Sequence, residues 1–173
     1  MKTSNQTLKE FPVMYETKND IPQQRRGELI ILLNQRLADA VDLHTQIKQA
    51  HWNVKGPHFI SLHELFDNIH EDIGKYVDVI AERIVQLGGI AAGTARSAAG
   101  CSRLKEYPLD IADGSAHVEA VAQALSIFGC DARSTANEAD ELGDTDTSDI
   151  FIEISRGIDK WLWMVEAHSH ASK

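Results

Sequence analysis

Apolar residues recur at three- and four-residue steps through most of the chain, a pattern that predicts amphipathic helices. The first predicted helix covers residues 23–52, and its apolar positions are Leu29, Leu32, Leu33, Leu37, Ala40, Val41 and Ile47. A Gly-Pro pair at 56–57 then interrupts the pattern. A second helix is expected from about 58 to 87, because a Gly-Gly pair follows it directly.

The second half of the chain predicts two more helices after a long connection. Segment 90–114 is rich in small residues and predicts a crossover with room for a short helix of its own. Ser115 is the expected N-cap of the third helix, which ends near Gly143. Thr147 or Ser148 opens the fourth helix, which is expected to run to about residue 168. Four long helices joined in this way predict an all-α four-helix bundle.

The two ends of the chain do not share the helical pattern. Residues 1–22 are polar, contain two prolines and show no sustained period, so they predict a flexible N-terminal tail. The bundle is expected to cover residues 23–168, and residues 169–173 are expected to form a short C-terminal tail. The chain has 173 residues, of which 43% are hydrophobic, and this predicts a single domain with a proper core.

Composition and charge narrow the class of protein. The sequence has no apolar run of about 18 residues and no signal-like apolar segment, so we expect a cytoplasmic protein that does not enter a membrane. The net charge of −9 argues against a mainly basic, nucleic-acid-binding surface and suits a protein that collects cations. Cys101 and Cys130 make no disulfide framework, and we expect two small buried thiols.

Four residues of the second predicted helix form a stripe of potential metal ligands. At about 100° per residue, Asp67, Asp78 and Glu82 lie roughly 40°, 60° and 100° around the helix from His63. The stripe contains no Lys or Arg that would neutralise the acids. His51 precedes the break before this helix and adds a second imidazole. Imidazole and carboxylate groups together are ligands suited to iron.

These ligands form two pairs that are too far apart to share one ion. His63 and Asp67 are neighbours at i,i+4, and so are Asp78 and Glu82. At about 1.5 Å per residue, the pairs are roughly 16 Å apart along the helix axis. Two antiparallel copies of the helix around a two-fold axis would bring the first pair of one chain against the second pair of the other, giving two equal sites per dimer. That axis would pass near Gly74, where two helices can approach closely.

Other residues near the stripe have less specific spacing. Lys48 lies three residues before His51 and could offset the charge of a site carboxylate. Trp52 adjoins His51. Both residues are therefore candidates for positions next to the metal ligands. His70 is a candidate auxiliary ligand, whereas His44 is expected at the surface. His58 and His117 have no other potential ligand at helical spacing, so both are expected in surface or loop positions. Charged residues at i,i+4 also occur on ordinary solvated helix faces, and that alternative stays open.

Several motifs of the chain match one known family. They are HWNVKG (51–56), SLHELFD (61–67), Asp78 followed by AER (81–83), and the segment from Asp146 to Glu166 that contains DTSDI and DKWLWMVE. With these motifs, the chain closely resembles the Dps family, the DNA-binding proteins from starved cells. The resemblance covers roughly residues 24–168.

The resemblance implies a ferritin-like four-helix bundle, with the long crossover between helices two and three, assembled into a hollow homododecamer. Family members oxidise Fe(II), commonly with hydrogen peroxide, and store ferric mineral inside the shell; oxygen is the alternative oxidant. The chain is thereby expected to be a ferroxidase that binds iron. By resemblance, His51, His63 and Asp67 would come from one subunit, and Asp78 and Glu82 from its two-fold mate.

A second acidic cluster precedes and begins the last predicted helix, between residues 138 and 149. In the family, this turn and the start of the last helix line a three-fold channel. The resemblance therefore implies an iron entry pore, for which we favour Asp140, Asp144 and Asp149. The alternative is a solvated turn whose acids are favoured by the dipole of the following helix.

Iron storage and detoxification is the function that these patterns favour. The alternative is a nucleoid-compacting, DNA-binding structural protein in which iron binding is secondary. Residues 1–22 carry three lysines against three acidic residues, so DNA binding is expected to be weak or absent at neutral pH. A helical scaffold without metal is a third possibility, which a calorimetric titration with Fe(II) would exclude.

Overall fold

Five helices build the part of the chain that the structure, a computed structural model, describes, residues 13–170. They are α1 (Gln23–Asn53), α2 (Phe59–Gln86), α3 (Ala95–Cys101), α4 (Gly114–Glu141) and α5 (Thr145–His170). The prediction of an all-α fold with four long helices and a short extra helix in the crossover is confirmed. Within the described residues, no helix is both long enough and apolar enough to span a membrane.

The four long helices pack as two hairpins around one core. α1 lies along α2, α4 lies along α5, and α1 also contacts α3 and α4. Phe66, Phe128 and Phe151 come from three different helices and are fully buried, together with leucines and isoleucines of α1. Burying one such side chain contributes about 1.5–3 kcal/mol. This packing holds α1 and α2 side by side, so that residues on their facing surfaces keep a fixed register.

A short turn joins α1 to α2. The backbone N–H of Val54 donates to the carbonyl oxygen of Ala50 and closes α1. Gly56 follows with a φ of +109°, a conformation that side chains with a Cβ rarely adopt. Lys55 is tied to the crossover, because its N–H donates to Ala112 at 3.1 Å. The Gly-Pro break expected from the sequence is therefore a fixed turn that returns the chain antiparallel to α1.

The caps of α4 and α5 lie earlier in the chain than predicted. Asp113, and not Ser115, caps α4, because its carboxylate accepts the N–H of Ala116 at 3.0 Å. α5 begins at Thr145, before either of the predicted start residues. In both cases an aspartate stands three residues before the N–H that it accepts, which is the spacing that an N-cap requires.

Asp144 lies in the turn between α4 and α5, where its side chain has a structural role. Gly143 takes a φ of +77° and ends α4, and the next N–H, of Asp144, donates back to Ala139 at 2.9 Å. The Asp144 carboxylate accepts the N–H of Thr147 at 3.0 Å and pairs with the guanidinium of Arg83 at 2.7 Å. Its side chain is 2% exposed. The carboxylate thus links α2 to the start of α5 inside the bundle.

Replacing Asp144 with alanine is expected to lower the free energy of unfolding by about 3–5 kcal/mol, because removing one partner of a buried ion pair leaves the other charge uncompensated. For a chain of this size, each kcal/mol corresponds to roughly 2–4 °C in Tm. Circular dichroism during heating, at fixed chain concentration, measures the change. The matched control is D149A at an exposed acid near the start of α5, with an expected change within about 0.5 kcal/mol. Equal Tm values for the two variants would contradict the role of Asp144 as one partner of a buried ion pair.

The predicted N-terminal tail is described only from residue 13 onward; residues 1–12 lie outside the described part of the chain. Residues 13–22 contain no helix, and they lie against the bundle. The N–H of Tyr15 donates to the carbonyl oxygen of Gly88 at 2.8 Å, and the Arg26 guanidinium bonds the carbonyls of Ile21 and Leu87. At the other end, α5 continues to His170, and residues 171–173 lie outside the described part.

Three burial predictions were wrong. Cys130 is exposed and Cys101 is half-buried, so neither is the buried thiol expected from cysteine usage in general. His117 was expected at the surface or in a loop, but it lies in α4 and is 1% exposed. Its Nδ1 is 2.7 Å from the hydroxyl of Tyr107, whose pKa is raised by burial. The hydroxyl satisfies one imidazole nitrogen and allows the ring to be buried.

Candidate metal centre

His51 and His63 face each other across the two antiparallel helices of the first hairpin. His51 is in the last turn of α1, and His63 is in the second turn of α2. Their ring centroids are 3.7 Å apart, and the ring planes differ by 22°. The helix packing therefore places the two predicted imidazole ligands together without a metal ion holding them.

A reciprocal pair of hydrogen bonds orients these two rings. The Nδ1 atom of His51 is 2.8 Å from the carbonyl oxygen of His63, and the Nδ1 atom of His63 is 2.8 Å from the carbonyl oxygen of His51. A carbonyl oxygen only accepts, so each Nδ1 carries the proton and donates it. In a neutral imidazole the lone pair is then on Nε2. Backbone carbonyls commonly orient metal-binding histidines in this way.

The two rings are stacked too nearly parallel to share one metal ion. Their planes differ by 22°, and their centroids are 3.7 Å apart. An imidazole lone pair lies in the plane of its ring, so two stacked rings cannot both direct their Nε2 lone pairs at a single ion. Each ring is therefore suited to a different ion, as in two-metal sites.

Asp67 adds an ionised carboxylate beside the two imidazoles. The ammonium of Lys48 donates a hydrogen bond to Oδ1 of Asp67 and holds the pKa of that carboxyl below its usual value. The same oxygen is 3.7 Å from Nδ1 of His51. Lys48 thus contacts Asp67, one of the carboxylates that the sequence predicts as ligands. The bond leaves Oδ2 of Asp67 available for a cation and offsets part of the negative charge before a metal binds.

Asp78 and Glu82 lie elsewhere on the same helix. Both are exposed, and α2 is continuous from His63 to Glu82, so the rise of about 1.5 Å per residue keeps the two pairs roughly 16 Å apart. Within residues 13–170, no group of three or more potential ligands is arranged to hold a metal ion. One chain thus places His51, His63 and Asp67 near one another without forming a complete metal site, and Asp78 and Glu82 stay separate and exposed on the same helix.

The remaining predicted residues take different positions. Trp52 is 67% exposed, and within residues 13–170 no hydrogen bond or ring contact joins it to the centre. Asp140 and Asp149 are exposed at the end of α4 and near the start of α5, where they are accessible to solvent. Asp144 is a correction to the predicted pore set. Its buried carboxylate is taken up by Arg83 and by the cap of α5, so it is not available to line a channel.

The sequence reasoning missed one feature near the centre. His44, expected at the surface, is half-buried and stacks on His70 with ring centroids 3.7 Å apart. The signal was present in the spacing, because His44 precedes His51 by the same number of residues as His63 precedes His70. Pairing the two spacings requires knowing that α1 and α2 are adjacent and antiparallel.

Comparison with known proteins places this fold in a class. Residues 30–171 match the family model of the ferritin-like domain, so the chain is a ferritin-like protein. It is 42% identical over 154 residues to the DNA protection during starvation protein of Agrobacterium fabrum (strain C58), a match that covers 89% of this chain and 95% of that relative. The chain belongs to the Dps family.

Solved structures agree with this assignment. DpsA14 from Streptomyces coelicolor superposes with a TM-score of 0.89 at 32% identity, covering 94% of this chain and 96% of that one. The Dps protein of Vibrio cholerae O1 superposes with a TM-score of 0.82 at 26% identity, covering 90% and 97%. The latter is described as a member of a broad superfamily of ferritin-like diiron-carboxylate proteins.

Proposed function

We propose that this protein oxidises Fe(II) at sites shared between two chains and stores the ferric product in a hollow homododecamer. The observation that carries the proposal is the reciprocal His51–His63 pair, which keeps a lone pair on each Nε2 atom beside the ionised Asp67. Imidazole and carboxylate suit iron. The Vibrio cholerae relative, described as a ferritin-like diiron-carboxylate protein, supports the same chemistry.

A second copy of the chain completes each site. In an antiparallel pair of α2 helices centred between Asp72 and Ile73, His63 lies opposite Glu82 of the partner subunit, and Asp67 lies opposite Asp78 of the partner subunit. The exposure of Asp78 and Glu82 leaves them free to face a partner. A two-fold pair then holds two equal sites, and closed symmetry repeats the pair around the shell.

The oxidation balances with hydrogen peroxide as the oxidant. Two Fe(II) ions give one electron each, and one peroxide takes both electrons. Its O–O bond breaks, and with two protons it yields two molecules of water. Because both electrons arrive together, no hydroxyl radical is released. The two Fe(III) ions then hydrolyse to ferric oxyhydroxide, which is stored inside the shell.

Exposed acids near the α4–α5 turn supply the proposed path for iron. Asp140 and Asp149 keep their carboxylates in solvent, unlike Asp144. Three copies around a three-fold axis would form rings of negative charge, which raise the local concentration of Fe(II). The net charge of −9 per chain acts in the same direction.

Anaerobic titration of the assembled protein tests the proposed function. Calorimetry with Fe(II) is expected to show saturable binding, and later addition of peroxide is expected to consume about one molecule for each two Fe(II), as a paired two-electron step requires. Peroxide consumed with release of hydroxyl radical, detected by spin trapping, would contradict the paired site. Absence of saturable Fe(II) binding would favour the metal-free scaffold instead.

The alternative function, DNA compaction, is favoured by the name of the Agrobacterium fabrum relative, a DNA protection during starvation protein. We expect no stable complex between the dodecamer and duplex DNA near pH 7.5 and about 0.15 M salt, because non-specific affinity needs an excess of Lys and Arg over acids. Residues 1–22 have no such excess. A gel shift with purified dodecamer measures binding. A retarded, salt-sensitive band that disappears on deletion of residues 1–22 would contradict the expectation.

A further inference from the structure

Two exposed apolar residues lie at opposite ends of α2. Among the described residues of this helix, the exposed large apolar side chains are Phe59, Ile60 and Val85, all in the first or last turn. Ile60 is 61% exposed and Val85 is 60% exposed. Single exposed apolar residues are common on protein surfaces, so exposure alone does not show a role. The positions of Ile60 and Val85 along and around the helix are more informative.

Ile60 and Val85 are equally far from the proposed two-fold axis. That axis crosses α2 between Asp72 and Ile73, and its position comes from the metal ligands alone. The midpoint of residues 60 and 85 falls at the same point. An antiparallel pair of α2 helices therefore places Ile60 opposite Val85 of the partner subunit, once at each end of the contact.

The same two residues point directly at the partner helix. At about 100° per residue, Ile60 and Val85 lie roughly 60° and 40° around α2 from His63. The ligands span about 0–100°, so the centre line of their stripe is near 50°. Both apolar residues are thus within about 10° of the centre line, closer to it than His63 or Glu82. Because neither apolar residue helped to place the axis, their register supports the same pairing independently.

We propose that Ile60 packs against Val85 of the partner subunit and closes one end of each shared site with an apolar contact. Ile60 precedes His63 by three residues. Val85 follows Glu82 by three residues, so the contact lies about one helical turn beyond the ligands, on the side away from the axis. The ring centroid of Phe59 is 5.1 Å from that of His63 and adds apolar surface there. This inference rests on the two-fold pairing of the proposed function, but it does not depend on bound iron.

An apolar contact at this end changes the surroundings of the metal ligands. It keeps bulk water away from His63 and from Glu82 of the partner subunit, and the apolar shell around a metal site controls solvent access and the local dielectric. Opposite charges attract more strongly where the dielectric is lower. The contact is therefore expected to strengthen the binding of a cation by the carboxylates of the site.

Cross-linking of paired cysteines tests the contact without iron. I60C/V85C is made in a C101S/C130S background, because Cys130 is exposed and Cys101 is half-buried. A bis-maleimide with a reach of about 8–10 Å, the usual spacing of packed helices, is expected to join the two chains of each pair. A denaturing gel then shows covalent dimers.

The single variants I60C and V85C, in the same background, are the matched controls. In the antiparallel pair, two copies of either cysteine are about 25 residues apart along the helix, roughly 37 Å, which is beyond the reach of the reagent. Neither single variant should therefore give dimers. Absence of dimers from I60C/V85C, or equal dimer yields from a single variant, would overturn the contact.

Charge substitutions at the same two positions give a second test that does not need cysteines. I60K/V85K places like charges opposite each other at both ends of the pair, whereas I60K/V85E places opposite charges there. Sedimentation over a range of concentrations is expected to give I60K/V85K a dissociation constant at least about tenfold larger than that of I60K/V85E. Circular dichroism checks that both chains are folded. Equal assembly of the two variants would contradict the pairing of residues 60 and 85.

Fe(II) affinity tests the closing of the site. Assembled I60S/V85S is expected to bind Fe(II) about tenfold more weakly than I60V/V85I, which keeps the contact apolar, because changes next to metal ligands commonly cost 10- to 100-fold in affinity. Anaerobic calorimetry measures both, and equal affinities would show that the contact does not close the site. Cross-linked dimers from a protein that binds no Fe(II) would support the contact and contradict the proposed function. Rapid iron oxidation by shells whose I60C/V85C form does not cross-link would leave the function standing and refute the contact.

Discussion

The variant H51Q/H63Q is expected to oxidise Fe(II) at least about a hundredfold more slowly than the wild type, while its shell stays assembled. Loss of a residue that merely orients a ligand commonly costs 10- to 100-fold in metal affinity or activity, and here both proposed imidazole ligands themselves are removed. Glutamine is a good helix former, and its amide can donate to the same carbonyl oxygens. Stopped-flow absorbance of the ferric product measures the rate, and sedimentation velocity measures assembly.

The matched control for this variant is H58Q. His58 precedes α2, is exposed and makes no side-chain capping hydrogen bond. Its substitution changes the same residue type a few positions away and is expected to leave the oxidation rate unchanged. An H51Q/H63Q shell that oxidises iron at the wild-type rate would show that these histidines are not ligands of the working site.

Co-assembly of two inactive chains is expected to restore activity. One chain carries H51Q/H63Q, and the other carries D78N/E82Q. Each alone has every site damaged, but in a mixed two-fold pair one site collects all four substitutions and the other keeps all its ligands. With random pairing at equal amounts, half of the pairs are mixed, so about a quarter of the wild-type activity should return.

Verified mixing is the control for that experiment. Distinguishable affinity tags on the two chains allow mixed shells to be purified, and homogeneous shells of each variant supply the baseline. Recovery restricted to purified mixed shells supports a site shared between chains. Mixed shells that are as inactive as the two parents would mean that all five ligands act within one chain.

The helices and the ligand stripe could be predicted because both depend on local periodicity. Leucines and isoleucines at helical spacing define α1 and α2 within a residue or two of their observed limits. The same periodicity puts His63 and Asp67 on one face of α2. The proposal of a second chain also follows from helix rise, since the distance between the two pairs of predicted ligands does not depend on tertiary contacts.

Features that depend on tertiary partners could not be predicted in this way. Asp144 looks like any acid in an acidic turn until Arg83, far away in the sequence, is packed against it. His117 is buried because Tyr107 supplies a hydrogen-bonding partner from the crossover. His44 pairs with His70 only because α1 and α2 are antiparallel neighbours. In each case the deciding contact joins residues from different elements.

The central claim is that each iron site is built from two chains, and diffraction at the iron absorption edge tests it directly. Crystals of the assembled protein are soaked anaerobically in Fe(II), and anomalous maps locate the metal. Iron is expected at roughly 2.0–2.2 Å from ligands of both chains, the range of typical imidazole and carboxylate bonds to a comparable divalent ion. Those ligands are His51, His63 and Asp67 of one chain with Asp78 and Glu82 of the partner subunit. Iron bound only to residues of a single chain, or absent from His51 and His63, would contradict it.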